Sequence, residues 1–230
     1  MKNCLSVLVP IFNEEKTIKR VILEVLKRPE VFEIIVINDG STDYSEEIVK
    51  SIRNKKIKII SHKKNMGKGA AIRTGIKSAK GKYLIIQDGD LEYYPSDYPR
   101  MLKFLEKDQA DFVIGTRWGE NNKRGYILAQ AGNWYLTALT NLLFNCRLSD
   151  SYTCYKVGPL ALWKKLNLRS NRFEIEAEIV TKIVRKKYNI REVPIRYNPR
   201  SFAKGKKINW RDIFRGTKTL LELRFVNFLQ

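Results

Sequence analysis

The segment YLIIQDGDLE, residues 83–92, joins a short apolar run to two aspartates one residue apart. Successive side chains of a strand alternate in direction, so Asp88 and Asp90 are predicted to point the same way at the end of a strand over Tyr83–Gln87. Open α/β sheets bind ligands at the carboxyl ends of their strands. Carboxylate oxygens suit Mg²⁺ or Mn²⁺, and Mg²⁺ is usually held by one or two carboxylates together with substrate phosphates. The segment therefore predicts a divalent metal site that receives a diphosphate. A solvated acidic turn is the alternative, since motifs this short recur by accident.

Strand-like and helix-like patterns alternate through the first half of the chain. Apolar runs that predict strands are Leu5–Ile11, Ile34–Ile37, Ile57–Ser61 and Tyr83–Gln87. Helical spacing of apolar residues fills the segments between them, and Asn13 is predicted to cap the first helix. This alternation predicts an α/β fold with a mostly parallel sheet, helices on both faces and a site at the carboxyl ends of the strands.

The second half carries longer helices, predicted at about 126–145 and 174–187. A strand at 190–197 and a final helix from Trp210 follow. The first and last of these helices are amphipathic, with aromatic residues on the apolar face and Lys or Arg nearby. Such helices pack against a sheet or lie on a membrane surface.

The composition describes a basic protein with one sizeable core. The 230 residues include 44 Lys and Arg against 24 Asp and Glu, which gives a formal charge of +20. This excess favours polyanionic partners, such as an anionic membrane surface, phosphorylated substrates or nucleic acid. No apolar stretch reaches the 18 to 20 residues that a spanning helix needs. Three scattered cysteines and the lack of a leader-like segment predict a cytoplasmic protein.

Five short motifs in a fixed order resemble the family-2 glycosyltransferases of GT-A fold. Within that family they resemble the polyprenyl-phosphate sugar synthases, typified by dolichyl-phosphate mannose synthase. The matching segments are Val9–Glu14 (family pattern V-P-x-Y-N-E), Asn38–Ser41 (D-D-G-S), Asp88–Leu91 (D-A-D-L), Gly115–Arg117 (G-S-R) and a late pair, Arg200 and Lys206. The resemblance implies a Rossmann-like GT-A domain over residues 1–230. Residues 1–117 would form its nucleotide-sugar-binding half, and 118–230 its acceptor-facing and membrane-facing half.

The resemblance also implies the members of a donor site. These are Pro10, Phe12, Glu14, Ile37, Asp39, Asp88, Gly89, Asp90, Arg200 and Lys206. Of these, Asp39 has a second interpretation, because a helix-capping turn also explains its sequence context. Asp88, Asp90 and Glu92 would hold Mg²⁺ or Mn²⁺ against the donor diphosphate, although Glu92 stands where the mannose synthases commonly have glutamine. Arg200 and Lys206 suit phosphate binding through a planar fork and a point charge.

For the acceptor, the resemblance implies a polyprenyl phosphate at the cytoplasmic face of the membrane. Arg117 is expected to hold the acceptor phosphate, with Lys123 and Arg124 as further acceptor-binding candidates, and Asp90 and Arg117 are the predicted catalytic residues. An acceptor phosphate is already ionised at neutral pH, so it needs orientation more than a general base. The lone histidine, His62, is predicted to be a surface residue. The implied reaction is an inverting transfer of a hexose from a nucleotide-diphosphate sugar.

Two other functions remain open from the sequence. A family-2 enzyme that glycosylates a glycan hydroxyl would need a base, for which Glu174 or Glu176 is a candidate; both also suit the first turn of a helix. A basic nucleic-acid-binding protein would explain the charge. It would not explain the acidic cluster, and no known nucleic-acid-binding motif is present, so nucleic acid is not an expected partner.

Overall fold

A computed structural model describes residues 3–119, 122, 127–200 and 210–226. Within these residues, one sheet of seven strands forms the centre of the fold. The strands are β1 (Leu5–Ile11), β2 (Val31–Asn38), β3 (Ile57–Ser61), β4 (Tyr83–Ile86), β5 (Phe112–Thr116), β6 (Lys156–Pro159) and β7 (Ile190–Pro194). Four of them were predicted within a few residues of their observed bounds along the first half of the chain.

The strand order is β3-β2-β1-β4-β6-β5-β7. Parallel pairing joins β1 to β2 and β4, β2 to β3, and β5 to β7. Only β6 runs against its neighbours β4 and β5. The prediction of a mostly parallel sheet is confirmed. The antiparallel strand β6 was not predicted, because its four residues are too few to show a period.

Helices cover the sheet. They are α1 (Ile18–Leu26), α2 (Ser45–Ser51), α3 (Lys68–Ser78), α4 (Tyr98–Glu106), α5 (Ile127–Phe144), α6 (Leu160–Lys165), α7 (Ile175–Arg185) and α8 (Trp210–Leu221), followed by a π-helical turn at Glu222–Val226. The helices predicted at 126–145 and 174–187 correspond to α5 and α7, and the predicted final helix is α8.

The loop after β1 differs from its prediction. Asn13 does not cap α1, because the helix begins at Ile18 and its N-cap residue is Thr17. Instead, Asn13 adopts a φ of 54°, and its side-chain oxygen accepts a 2.8 Å hydrogen bond from the backbone N–H of Thr42. Asparagine tolerates this left-handed backbone better than most residues do. The contact ties the loop after β1 to the loop after β2, and both loops lie at the carboxyl edge of the sheet.

Two groups of buried apolar residues support this edge. The larger group lies between the sheet and its flanking helices. The smaller one contains Leu136, Ala177 and Leu220, one residue each from α5, α7 and α8. These three helices therefore pack together beside the sheet. Of the helices in the described ranges, none combines the length and apolar character needed to cross a membrane.

Candidate active site

A cavity of about 1120 Å³ opens at the carboxyl ends of β1, β2 and β4 and extends to α5 and α8. Ten residues of the predicted site line it: Pro10, Phe12, Glu14, Asp39, Asp88, Gly89, Asp90, Glu92, Arg117 and Arg200. Ile37 is not among the lining residues, and its side chain is fully buried in the core. Lys123, Arg124 and Lys206 lie outside the described residues.

The two aspartates of the D-x-D segment are each paired with a cation. Lys68 Nζ lies 2.8 Å from Asp88 Oδ1, and Arg200 Nη2 lies 2.8 Å from Asp90 Oδ2. Arg200 also donates a 3.1 Å hydrogen bond from Nη1 to Glu14 Oε2. The carboxylates follow β1 and β4, whereas the cations come from the first residue of α3 and from the segment after β7. The fold thus assembles one charged cluster from four distant parts of the chain.

The neighbouring aspartates differ in acidity. Burial disfavours ionisation of Asp88, but the charge and hydrogen bond of Lys68 keep the pKa of its carboxyl below the usual value. Burial, followed by the negative charges of Asp88 and Glu92, raises the pKa of Asp90 to about 7. The pKa values of the two aspartates therefore differ although each carboxylate is paired with a cation.

This donor set fits a hard divalent cation. Asp88 and Asp90 supply carboxylate oxygens, the preferred ligands of Mg²⁺, side by side on the cavity wall. Glu92 is the least suited of the predicted ligands, because its oxygens accept hydrogen bonds from the Tyr197 hydroxyl (2.8 Å) and the Arg200 backbone N–H (2.7 Å). Among the described residues, no group of three His, Cys, Asp or Glu side chains is arranged to hold a metal. A metal held by Asp88 and Asp90 would need further ligands from a substrate.

At the other side of the cluster, Asp39 organises the loop before α3. Its Oδ1 accepts a hydrogen bond from Met66 N–H (2.9 Å), and its Oδ2 accepts one from Gly67 N–H (2.7 Å). His62 Nδ1 lies 2.7 Å from the same Oδ1. The His62 side chain is only 10% exposed, so the prediction of a surface histidine is wrong. Its partner Asp39 lies 23 residues earlier in the chain, so the sequence around His62 gives no sign of the contact.

Arg117 lines the cavity in a fixed orientation. Its Nε and Nη2 donate to the two oxygens of Asp150 at 2.8 and 2.7 Å, and its guanidinium lies 5.2 Å from the centre of the Tyr197 ring. Asp150 is 1% exposed. This fork is the strong, bidentate form of an Arg–carboxylate pair. Arg117 is therefore held rigidly at the cavity wall by a residue that sequence analysis did not single out.

The two candidate bases have different surroundings. Glu176 lines the cavity, and its oxygens lie 2.5 Å from Lys156 Nζ and 3.0 Å from Lys68 Nζ. Glu174 precedes α7, and its Oε1 accepts a hydrogen bond from the Arg172 backbone N–H at 3.0 Å. Glu176 is thus bound between two ammonium groups, and Glu174 serves the turn at the start of α7.

Sequence analysis missed several residues of this site. On the cavity wall these are Lys68, Tyr93, Tyr135, Tyr152, Cys154, Arg172, Phe173, Tyr197 and Asp212. Glu176 was considered as a base, but its pairing with two lysines was not predicted. Only Lys68 had a usable signal, since it follows the glycine of the loop before α3 and begins a helix after a strand. The others become neighbours only through tertiary packing.

The fold and the site together define a glycosyltransferase of GT-A architecture. Residues 6–158, more than half of the chain, match the model of the family described as Glycosyl transferase family 2. The chain therefore belongs to glycosyltransferase family 2. This assignment favours the enzyme over the nucleic-acid-binding alternative.

Two curated relatives are named for lipid-phosphate acceptors. Dodecaprenyl-phosphate galacturonate synthase from Rhizobium johnstonii is 30% identical over 171 residues, which are 71% of this chain and 50% of that protein. UDP-N-acetylglucosamine–dolichyl-phosphate N-acetylglucosaminyltransferase from Methanococcus voltae is 28% identical over 224 residues, covering 87% of this chain and 89% of that protein. The chain thus spans half of the first relative and most of the second.

Among solved structures, glucosyl-3-phosphoglycerate synthase from Mycobacterium tuberculosis superposes with a TM-score of 0.75. The match covers 96% of this chain and 80% of that one at 20% identity. That crystal structure contains Mn²⁺, UDP and glucosyl-3-phosphoglycerate. At this identity the likeness establishes the GT-A fold.

Proposed function

We propose that this enzyme transfers a hexose from a nucleotide-diphosphate sugar to a polyprenyl phosphate, with Mg²⁺ or Mn²⁺ and with inversion at the anomeric carbon. One observation carries the proposal: a single cavity joins the Asp88 and Asp90 pair to Arg117 and extends to α5 and α8. The names of the two curated relatives support a lipid-phosphate acceptor. The Mn²⁺ and UDP bound in the superposed mycobacterial synthase support a nucleotide-sugar donor and a divalent metal.

The donor would lie along the carboxyl ends of the strands. We assign Pro10, Phe12 and Asp39 to the nucleoside, since they provide an apolar wall and a hydrogen-bond acceptor at the cavity edge. Arg200 and Lys206 are assigned to the diphosphate. A metal held by Asp88 and Asp90 would neutralise that diphosphate as a leaving group.

The acceptor phosphate is assigned to Arg117. Asp150 occupies Nε and Nη2, so Nη1 is the donor that we assign to the phosphate. Lys123 and Arg124 are proposed to add positive charge nearby. The attacking phosphate oxygen is already ionised at neutral pH, so a rigid arginine that orients it replaces a general base.

Exposed apolar residues on α5 and α8 support a peripheral position at the cytoplasmic face of a membrane. On α5, Trp134 is 70% and Leu142 80% exposed; on α8, Phe214 is 68% exposed. Arg215 and Lys218 lie on the same terminal helix and are also exposed. Apolar residues with flanking cations are typical of helices that lie in the interface of an anionic bilayer. Because the same two helices line the cavity, a lipid acceptor could reach it from that surface.

Transfer of radiolabelled sugar to a short polyprenyl phosphate tests the reaction. The donors to compare are GDP-mannose, UDP-glucose and UDP-N-acetylglucosamine, each with Mg²⁺, Mn²⁺ or excess EDTA. We expect one donor to label the lipid phase, and we expect Asp90→Asn or EDTA to abolish the label. If label instead enters a glycan hydroxyl acceptor and never the lipid phosphate, the glycan-hydroxyl alternative is correct. Proton NMR of the first product gives the anomeric configuration, and retention would contradict the proposed inversion.

Flotation with vesicles tests the membrane surface separately. We expect the wild type to float with vesicles rich in anionic lipid, less with neutral vesicles, and poorly after Trp134→Glu and Phe214→Glu are combined. Tyr44→Glu is the matched control, because Tyr44 is a 73% exposed aromatic residue far along the chain from both helices. Equal flotation of all three proteins would contradict the assignment of this face.

A further inference from the structure

His62 is the only histidine of the chain and lies just behind the cavity. Its backbone N–H donates to Asn38 O at 2.9 Å, which extends the pairing of β2 with β3 by one residue. The ring bridges two side chains: Nδ1 lies 2.7 Å from Asp39 Oδ1, and Nε2 lies 2.9 Å from Thr74 Oγ1 of α3. His62 is not among the residues that line the cavity, whereas Asp39 is.

The two hydrogen-bond partners of the His62 ring determine which ring nitrogen carries a hydrogen. The carboxylate form of an aspartate has acceptors only, so Nδ1 of the ring carries the hydrogen that is directed at Asp39. The Thr74 hydroxyl can donate to Nε2 or accept from it, so it is compatible with either charge state of the ring. In both states, Nδ1–H donates to Asp39.

Hydrogen bonds from the protein hold the Asp39 carboxylate in one orientation. A carboxylate has about four acceptor positions. Two of those on Asp39 are used at Oδ1, by His62 and Met66, and one is used at Oδ2, by Gly67. With respect to the described part of the chain, one acceptor position therefore remains, on Oδ2, and the three protein contacts fix its direction.

The same contacts extend to the charged cluster. Gly67 adopts a φ of 98°, a backbone conformation that favours glycine, and directly precedes Lys68. Lys68 then begins α3 and reaches Asp88. A shift of the Asp39 carboxylate would therefore change the acceptor offered to a nucleoside and the position of Lys68 beside the proposed diphosphate site, and both changes act on donor binding.

We infer that His62 is a positioning residue for nucleotide binding, acting through its Nδ1–H on Asp39. This inference rests on the proposed function, which assigns Asp39 to the nucleoside. It predicts that His62 affects the affinity for the nucleotide and not the transfer step, because the ring contacts neither the carboxylates of the D-x-D segment nor Arg117.

A pair of variants separates the two ring nitrogens. In His62→Asn the side-chain amide NH₂ can take the place of Nδ1, whereas in His62→Gln it can take the place of Nε2 and leaves Asp39 without its donor. The probes are UDP and GDP with Mn²⁺, measured by titration calorimetry. We expect His62→Asn to bind within threefold of the wild type, and His62→Gln to raise the dissociation constant about tenfold, the lower end for a lost hydrogen bond to a charged group.

Steady-state kinetics and a double variant distinguish a positioning role of His62 from a merely structural one. We expect the donor KM of His62→Gln to rise about tenfold while kcat stays within twofold. In an Asp39→Ala background, which lacks the acceptor of His62 Nδ1–H, adding His62→Gln should cause no further loss of affinity, because the histidine acts through the aspartate. If His62→Gln binds as the wild type does, or if both His62 variants lose affinity equally, the inference is wrong.

Nitrogen NMR of the wild type tests the inference without any variant, should His62→Gln fail to fold. Since the chain has one histidine, its ring signals need no further assignment. We expect a protonated Nδ1 whose resonance shifts on saturation with UDP or GDP. A neutral ring protonated only at Nε2 would overturn the inference. If the wild type binds neither UDP nor GDP, both the proposed function and the inference on His62 are wrong. If the wild type binds a nucleotide and the two His62 variants bind it equally well, only the inference on His62 is wrong.

Discussion

Replacing Glu176 by glutamine should reveal whether this carboxylate is a structural partner or a general base. Lys156 is fully buried, and Glu176 lies 2.5 Å from its ammonium group. Removing one partner of a buried ion pair leaves an uncompensated charge and typically costs about 3–5 kcal/mol. Glutamine keeps one oxygen as an acceptor, so we expect the lower value, about 3 kcal/mol. For a chain of this size that corresponds to a melting temperature about 6–12 °C lower.

Urea unfolding of Glu176→Gln and Glu174→Gln provides the measurement. Glu174 does not line the cavity and accepts a hydrogen bond from a backbone N–H, which a glutamine oxygen can also accept. We expect Glu174→Gln to stay within about 0.5 kcal/mol of the wild type. Combining Glu176→Gln with Lys156→Met should recover most of the stability, because removing both members of a buried pair is often nearly neutral.

The opposite pattern would refute this reasoning. If Glu176→Gln unfolds at the wild-type urea concentration yet loses transfer activity, the carboxylate acts in the reaction. A loss confined to kcat, with transfer recovered at high pH by a strong external nucleophile, would identify a general base. The glycan-hydroxyl alternative would then replace the lipid-phosphate acceptor.

Three shorter predictions concern other parts of the site. Gly69→Ala should lower the free energy of unfolding by about 1–3 kcal/mol in a denaturant titration, since its new methyl group would overlap the backbone carbonyl of Ser170. Arg117→Lys should raise the KM for polyprenyl phosphate at least tenfold while the donor KM stays within threefold, because lysine cannot make the fork to Asp150; an unchanged acceptor KM would contradict its assignment. Stabilisation by Mn²⁺ and UDP, measured as a melting-temperature shift, should be larger at pH 8 than at pH 5.5, because Asp90, with a pKa of about 7, must lose its proton before it can bind a metal; equal shifts would contradict this.

The sequence predicted those features of the fold that are written in short, contiguous patterns. The strands β1 to β4 are apolar runs, and the parallel pairing among them follows from their alternation with helices. Strand β6 was not predicted, because its four residues are too few to show an alternating pattern and its partners β4 and β5 come from earlier in the chain. Its insertion between them is what separates β4 from β5 in the sheet.

The same distinction applies to the site. Asp88 and Asp90 were predictable because one segment contains both, whereas Asp39 was assigned through the family resemblance, since its own context also suits a helix-capping turn. Asp150 and Lys156 gave no local signal, since their partners lie 33 and 20 residues away and meet them only in the folded chain. Ile37 shows what position alone does not tell: it comes directly before Asn38 at the end of β2, where both faces of the sheet are covered, so its side chain is buried in the core.

The charge balance of the cluster explains how a nearly paired site can accept a charged donor. Lys68 and Arg200 already neutralise much of Asp88 and Asp90, so a bare divalent cation would meet two cations as well as two carboxylates. A metal together with a diphosphate adds charges of opposite sign, and these cations can then contact phosphate oxygens instead. Binding as a metal–diphosphate unit should therefore be favoured over binding of either part alone. Calorimetry would show this as a Mn²⁺ affinity that rises at least tenfold in saturating UDP, and an equal affinity without UDP would contradict the proposed coupling.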